Sequence, residues 1–186
     1  SCRERYRDES TIMTPKGKWA RGIVPRNFHW IVKDQLAVCE RPGGYGANHR
    51  RVRRQEEIIW LRESGFGCVI SLIPSPHNLH NYDELGVAWQ HRPFTAEDDE
   101  ATYLRDLYPE LDRLRAEGTM VLLHQDELSD RLVGVMAGYV LWAGLLDDGP
   151  QTISVVERMV DRQMGPTGRG LVTLAIALRD RRRAST

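Results

Sequence analysis

The chain of 186 residues is 41% hydrophobic and 28% charged, and its 26 basic residues balance 26 acidic ones, giving a formal net charge of zero. Such a composition suits one soluble globular domain with a single core, and the even charge excludes a global field that draws nucleic acid or a membrane surface. No run of 18 apolar residues occurs, so no membrane-spanning helix is expected.

In chain order, residues 1–26 are polar and charged and read as an irregular arm, with Trp19, Ile23 and Val24 as anchors. A single domain follows over 27–186. "FHWIV" and "QLAVC" alternate around Lys33-Asp34, the pattern of a β-hairpin. "ERPGGYGANH" is a breaker cluster and reads as a loop, since "RPGGYG" lacks the lysine and helix register of a nucleotide loop. Residues 48–64 form a helix ended by Gly65, and "CVISLI" (68–73) is a short apolar run of the kind that makes a buried strand. His77 and His80 follow, but Pro74 and Pro76 place them on a loop, with no third metal ligand at a suitable spacing.

"VAWQH" (87–91) is a further strand. Residues 101–117 carry Leu104, Leu107, Tyr108, Leu111 and Leu114 at helical spacing before Gly118, and "TMVLL" (119–123) is the most apolar strand. Helices are predicted over 130–146, 151–164 and 169–183. Strands alternating with helices imply an α/β fold with a central, mostly parallel sheet flanked by helices.

The basic set is lopsided: of 26 basic residues only Lys16, Lys18 and Lys33 are lysines, leaving 23 arginines. Their clusters at 49–54 and 179–183 read as a solvated helix face and a charged tail. Three cysteines, Cys2, Cys39 and Cys68, lack metal-binding spacing. Cys39 and Cys68 sit in apolar runs, where a free buried thiol is expected. Those thiols, and an N-terminus without a signal-peptide core, point to a reducing, cytoplasmic setting.

The stretch "VLLHQDELSDRLVGVMAGYVL" (121–141) passes from apolar strand to polar loop to apolar helix. In parallel sheets ligands bind at such a position, beyond the strand's carboxyl end. His124 and Arg131 bracket the loop with the frame His, one residue, five residues, Arg. That frame resembles the cysteine-dependent dual-specificity and tyrosine phosphatases, where the residue after histidine is the catalytic cysteine. "NFHWIVKDQLAVCERPG", "WLRESGFGCVISLI" and "YDELGVAWQHRPF" are similar to the opening hairpin, first helix-strand pair and acid-loop strand of compact members of the kinase-associated type. The likeness runs over about residues 27–178.

The resemblance implies a thiolate nucleophile, a loop of backbone amides with an arginine around the phosphate, and an aspartate that protonates the leaving oxygen. Here the nucleophile position holds Gln125, whose carboxamide has no useful nucleophilicity. The five loop residues are Asp126, Glu127, Leu128, Ser129 and Asp130, without a glycine. At ~4 Å and an effective dielectric near 20, each carboxylate facing a phosphate costs on the order of 4 kcal/mol. An arginine clamp or helix terminus returns about 1–3 kcal/mol. Phosphate binding in this loop is therefore expected to fail.

Arg131 is then expected to pair with Asp126, Glu127 or Asp130. Ser129 and Asp130 suit an N-cap, and His124 is read as an orienting histidine. The acid-loop candidates are Glu97, Asp98 and Asp99, with Asp98 nearest by spacing, although Glu97–Glu100 also form an acidic first turn ahead of the 101–117 helix. Gly168, Arg169 and Gly170 stand where the family carries a water-positioning glutamine.

The expected function is a catalytically inactive, phosphatase-like binding or regulatory module. Its expected partner is a protein or a small cationic ligand, with no nucleic acid, membrane, metal or cofactor. The alternative is an enzyme repurposed to use Asp126, Glu127 and Asp130 in non-phosphatase acid/base or cation-dependent chemistry.

Overall fold

The computed structural model describes residues 22–45 and 50–186. By internal packing they form two units. One comprises the described residues up to Thr95 together with Gly118–Glu127, the other Ala96–Glu117 with Leu128–Thr186. Most of the arm expected over 1–26, including its anchor Trp19, lies outside the described residues. Ile23 and Val24 are exposed.

The first unit is built on the expected hairpin. Strands β1 (His29–Val32) and β2 (Leu36–Glu40) pair antiparallel. Asp34 takes φ +60° between them, a left-handed conformation that a short polar side chain tolerates. Three parallel strands complete the sheet: β3 (Phe66–Ser71), β4 (Trp89–His91) and β5 (Met120–Gln125). The order is β1-β2-β5-β3-β4, with β5 central and parallel to both β2 and β3. Leu36–Cys39, Cys68–Ile70 and Val121–Leu123 have no solvent exposure, as their unbroken apolar runs require.

Helix α1 (Arg51–Glu63) places Ile58 and Leu61 in a core cluster with Ala37, Phe66, Val69 and Leu122. Gly65, at φ +95°, turns the chain from α1 into β3. α1 departs from the expected solvated face, because Arg54 and Glu57 are buried. A short helix α2 (His80–Glu84) also occupies part of the stretch read as a loop.

The second unit is helical: α3 (Glu100–Ala116), α4 (Asp130–Trp142), α5 (Gly149–Val160) and α6 (Pro166–Ala184). Every residue of α4 from Leu132 to Trp142 is buried. α4 and α6 cross closely through glycines: a Cβ on Gly134 would lie 2.5 Å from Gly168 Cα. Several helix ends differ from the sequence reading, α5 among them, which stops at Val160 rather than 164 with Asp161 at φ +51°. α4 stops at Trp142 rather than 146, with Gly144 at φ +73° just beyond, and α6 starts at Pro166 because proline suits a first helical position. No described helix is long and apolar enough to cross a membrane. The α/β class and the mostly parallel sheet expected from the sequence are both present.

Candidate functional site

A parallel sheet gathers the loops that leave its strands at one edge. With the order β2-β5-β3, Arg41 follows β2, Asp126 and Glu127 follow β5, which ends at Gln125, and Leu72–Leu79 follow β3. Backbone hydrogen bonds tie these segments together, from Arg41 N–H to the Asp126 carbonyl (3.3 Å) and from Leu72 N–H to the His124 carbonyl (2.9 Å).

His124 is only 1% exposed. Its Nδ1 lies 3.2 Å from the Gln125 carbonyl and its Nε2 3.4 Å from the Tyr82 hydroxyl. A carbonyl only accepts, so Nδ1 carries the proton and Nε2 receives Tyr82 O–H. Burial drives the imidazole pKa down to about 4, against a smaller upward pull from the Gln125 carbonyl. The ring is therefore neutral at pH 7 and held at the end of β5 by these two contacts.

The loop's carboxylates are met by residues the sequence reading did not pair with them. In the first unit, Asp126 Oδ1 pairs with Arg41 Nη1 at 3.3 Å. Glu127 accepts from the Tyr45 hydroxyl at 3.2 Å and thereby raises the tyrosine's pKa. In the second unit, the Asp130 carboxylate accepts from the Gly165 and Gly168 amides, each at 2.7 Å. Asp130 thus caps α6 from a distance in sequence. Ser129 is the N-cap of α4, its hydroxyl accepting from Leu132 N–H at 3.1 Å. Leu128 is buried, and its carbonyl accepts from Arg162. Arg131 stands half-buried in the first turn of α4.

Of the acid-loop candidates, Asp99 is the N-cap of α3, accepting from Thr102 N–H at 3.1 Å and from the Thr102 hydroxyl. These bonds hold its carboxyl below the usual carboxylate range. Glu97 and Asp98 are exposed. The 164–169 turn is fastened by Glu157, which accepts from Met164 N–H at 2.7 Å, and by Arg169, which donates to the Met164 carbonyl at 3.0 Å.

Cys39 is a free thiol buried beside Glu57 and Glu40, and burial first, then those charges, push its pKa well up. Such a thiol is inert. Cys68 is disulfide-bonded, so the expectation of a free thiol there is corrected. Among the described residues no group of three or more His, Cys, Asp or Glu is arranged to hold a metal ion.

Sequence reasoning missed Arg41, Arg54, Tyr82 and Glu57. Glu57 is 1% exposed and satisfied by Arg53 Nε at 2.6 Å and Gly43 N–H at 2.7 Å. A signal for Arg41 was available: a charged residue directly after a parallel strand belongs to the ligand-binding edge of the sheet.

No protein-family model and no curated protein matches the chain. Solved structures do. Kinase associated phosphatase, in a form with its catalytic-site cysteine replaced by serine, superposes with a TM-score of 0.68 at 17% identity, covering 87% of this chain and 98% of that one. "Tk-PTP in the active form" gives 0.65 at 15% identity, over 81% and 97%. The core catalytic domain of the PP-IP phosphatase SIW14 from S. cerevisiae gives 0.63 at 14%, over 88% and 94%. At such identities the likeness speaks for architecture alone, and the chain has the α/β fold of the dual-specificity and tyrosine phosphatases.

Proposed function

We propose that this protein is a pseudophosphatase, a phosphatase-like scaffold that binds a protein partner and catalyses no phosphoryl transfer. One observation carries the reading: Gln125 ends β5 where the superfamily's frame places its nucleophile. A carboxamide cannot form the phosphoenzyme, and the free thiol of Cys39 is buried and held protonated. The acidic residues that follow support the reading, because Asp126, Glu127 and Asp130 are engaged by Arg41, Tyr45 and the α6 amides. Carboxylates committed to such partners are poorly placed for the acid/base or cation chemistry of a repurposed enzyme. A cytoplasmic setting is not part of the proposal, because the Cys68 disulfide opposes the reducing compartment inferred from free thiols.

The test is turnover of an aryl phosphate by the full chain and by Gln125→Cys. Neither is expected to exceed the uncatalysed rate, since the acidic residues still oppose a bound dianion. Turnover by wild type that is abolished in Arg131→Ala sinks the proposal. Turnover restored by Gln125→Cys alone sinks the electrostatic argument behind it.

A further inference from the structure

Beyond Leu178, helix α6 buries no residue. Its last turn, Arg181 to Ala184, is exposed throughout and ends on Ser185, the C-cap, which is exposed as well. Among the described residues Ser185 is the one serine or threonine with an arginine two, three and four positions before it. Arginines suit the carboxyl end of a helix for the macrodipole alone, so the run by itself assigns nothing. The dipole does not require a nucleophilic hydroxyl directly behind the run, on a turn that can leave the helix without uncovering a core residue. We propose that Ser185 is a phosphorylation site, recognised by an arginine-directed serine/threonine protein kinase. The inference goes beyond the pseudophosphatase reading, because the site lies on α6 in the second unit and uses no residue of 125–131.

A kinase cleft takes its acceptor segment extended, so the last turn must unwind to be read. α6 is fastened as far as Arg179, whose side chain is 12% exposed and whose Nη1 donates to the Asp147 carbonyl at 3.0 Å. Past that point the attachments are loose. Arg183 pairs with Asp147 at 3.2 Å, and both side chains are more than half exposed. Arg182 stands 3.8 Å from Asp112 and lies over the Trp142 ring at 4.2 Å. Asp180 is occupied by Arg179. Exposed pairs of this kind contribute little, whereas carboxylates in a kinase cleft can hold a guanidinium fork through two bonds. The Ser185 hydroxyl donates to the Arg181 carbonyl at 3.0 Å, and opening the turn releases it. In the transfer, Ser185 Oγ attacks the γ-phosphorus of ATP, and the new O–P bond forms as the bond to the β-phosphate oxygen breaks. ADP leaves, and the hydroxyl proton passes to the kinase's carboxylate base. The product carries a charge of about −1.5 to −2 at pH 7, which offsets much of the charge of Arg181, Arg182 and Arg183. Transfer requires only that kinase and ATP meet the chain before or after the Cys68 disulfide closes.

Incubation of the full chain with ATP and the catalytic subunit of cyclic-AMP-dependent protein kinase, an arginine-directed enzyme, tests this by intact mass and peptide mapping. One phosphoryl group per chain is expected, on Ser185, and Ser185→Ala should abolish its incorporation. Arg182→Gln and Arg183→Gln should each lower kcat/KM for the phosphorylation roughly tenfold, and Arg183→Lys should recover only part of that loss. Arg183→Gln decides the matter, because its side chain is exposed and its removal leaves the core untouched. Ser64 is an internal control: it is exposed and has a single arginine, Arg62, closely before it. Incorporation that persists in Ser185→Ala, that reaches Ser64 or Thr186 at an equal rate, or that is undiminished in Arg183→Gln overturns the proposal. Absence of incorporation into the folded chain overturns it outright.

Discussion

His124 shows how one residue's surroundings set a property of the whole chain. In the unfolded chain it takes a proton near pH 6.5, in the folded chain only near 4, because burial penalises the imidazolium. Protonation therefore favours the unfolded state. The stability associated with the neutral ring is complete above pH 6.5, declines as pH falls towards 4, and levels off below. The span corresponds to about 3 kcal/mol. Urea unfolding at pH 7, 6, 5 and 4 should show a loss of this order in the wild type that His124→Gln lacks; equal losses in both would place the effect elsewhere. Tyr82 is buried with it, its own pKa raised chiefly by burial, so its hydroxyl donates to Nε2 for as long as the ring is neutral, and protonation of the ring forfeits that bond.

Asp130 acts at the scale of elements, because one carboxylate of α4 closes the amino end of α6. Asp130→Ala removes both amide bonds of 2.7 Å and strips an anion from a helix N-terminus. A loss of about 1–3 kcal/mol is expected by urea denaturation, and Asp130→Asn should recover part of it. The glycine crossing beside it is as demanding. Gly134→Ala puts a methyl 2.5 Å from Gly168 Cα, and the forced separation of α4 and α6 should cost about 1–3 kcal/mol. Near-neutral behaviour of Gly134→Ala would show that the two helices can slide apart freely.

These elements also mark what the sequence disclosed. Strand and helix order was legible, because β2, β3 and β5 are unbroken apolar runs and α3 repeats leucine at helical spacing. The cap Ser129 was legible as a local pattern, whereas Asp99 was read as part of an acidic first turn and proves to be the N-cap itself. The partners of Asp126, Glu127 and Asp130 were not legible. Arg41, Tyr45 and the α6 amides lie 35 to 85 residues away in sequence, and strand order or helix crossing, not proximity along the chain, brings them in. α2 was hidden by two prolines that precede it rather than interrupt it. Arg54 was taken for part of a solvated run because periodicity in a helix so rich in charge does not reveal which charge turns inward.

For the molecule as a whole, the proposed reading sets two uses of the 125–131 stretch against each other, holding an oxyanion and bonding to the protein's own elements. Replacing Gln125 with cysteine and residues 126–130 with small residues should restore vanadate binding, measured by titration, because the opposing carboxylates are gone. The same variant loses the Asp130 cap and the buried side chain of Leu128, so its thermal midpoint should fall by several degrees or more. Gain of oxyanion affinity without loss of stability would mean that the present residues do no structural work.

The cap on α6 has one last implication. A dissolved ion at a helix end comes and goes with its concentration, and added salt screens or displaces it. The anion at Gly165 and Gly168 is tethered by its own backbone, so its local concentration is fixed by the chain. High sulfate should neither fill that helix end nor free it, and this part of the protein should stay indifferent to ionic strength.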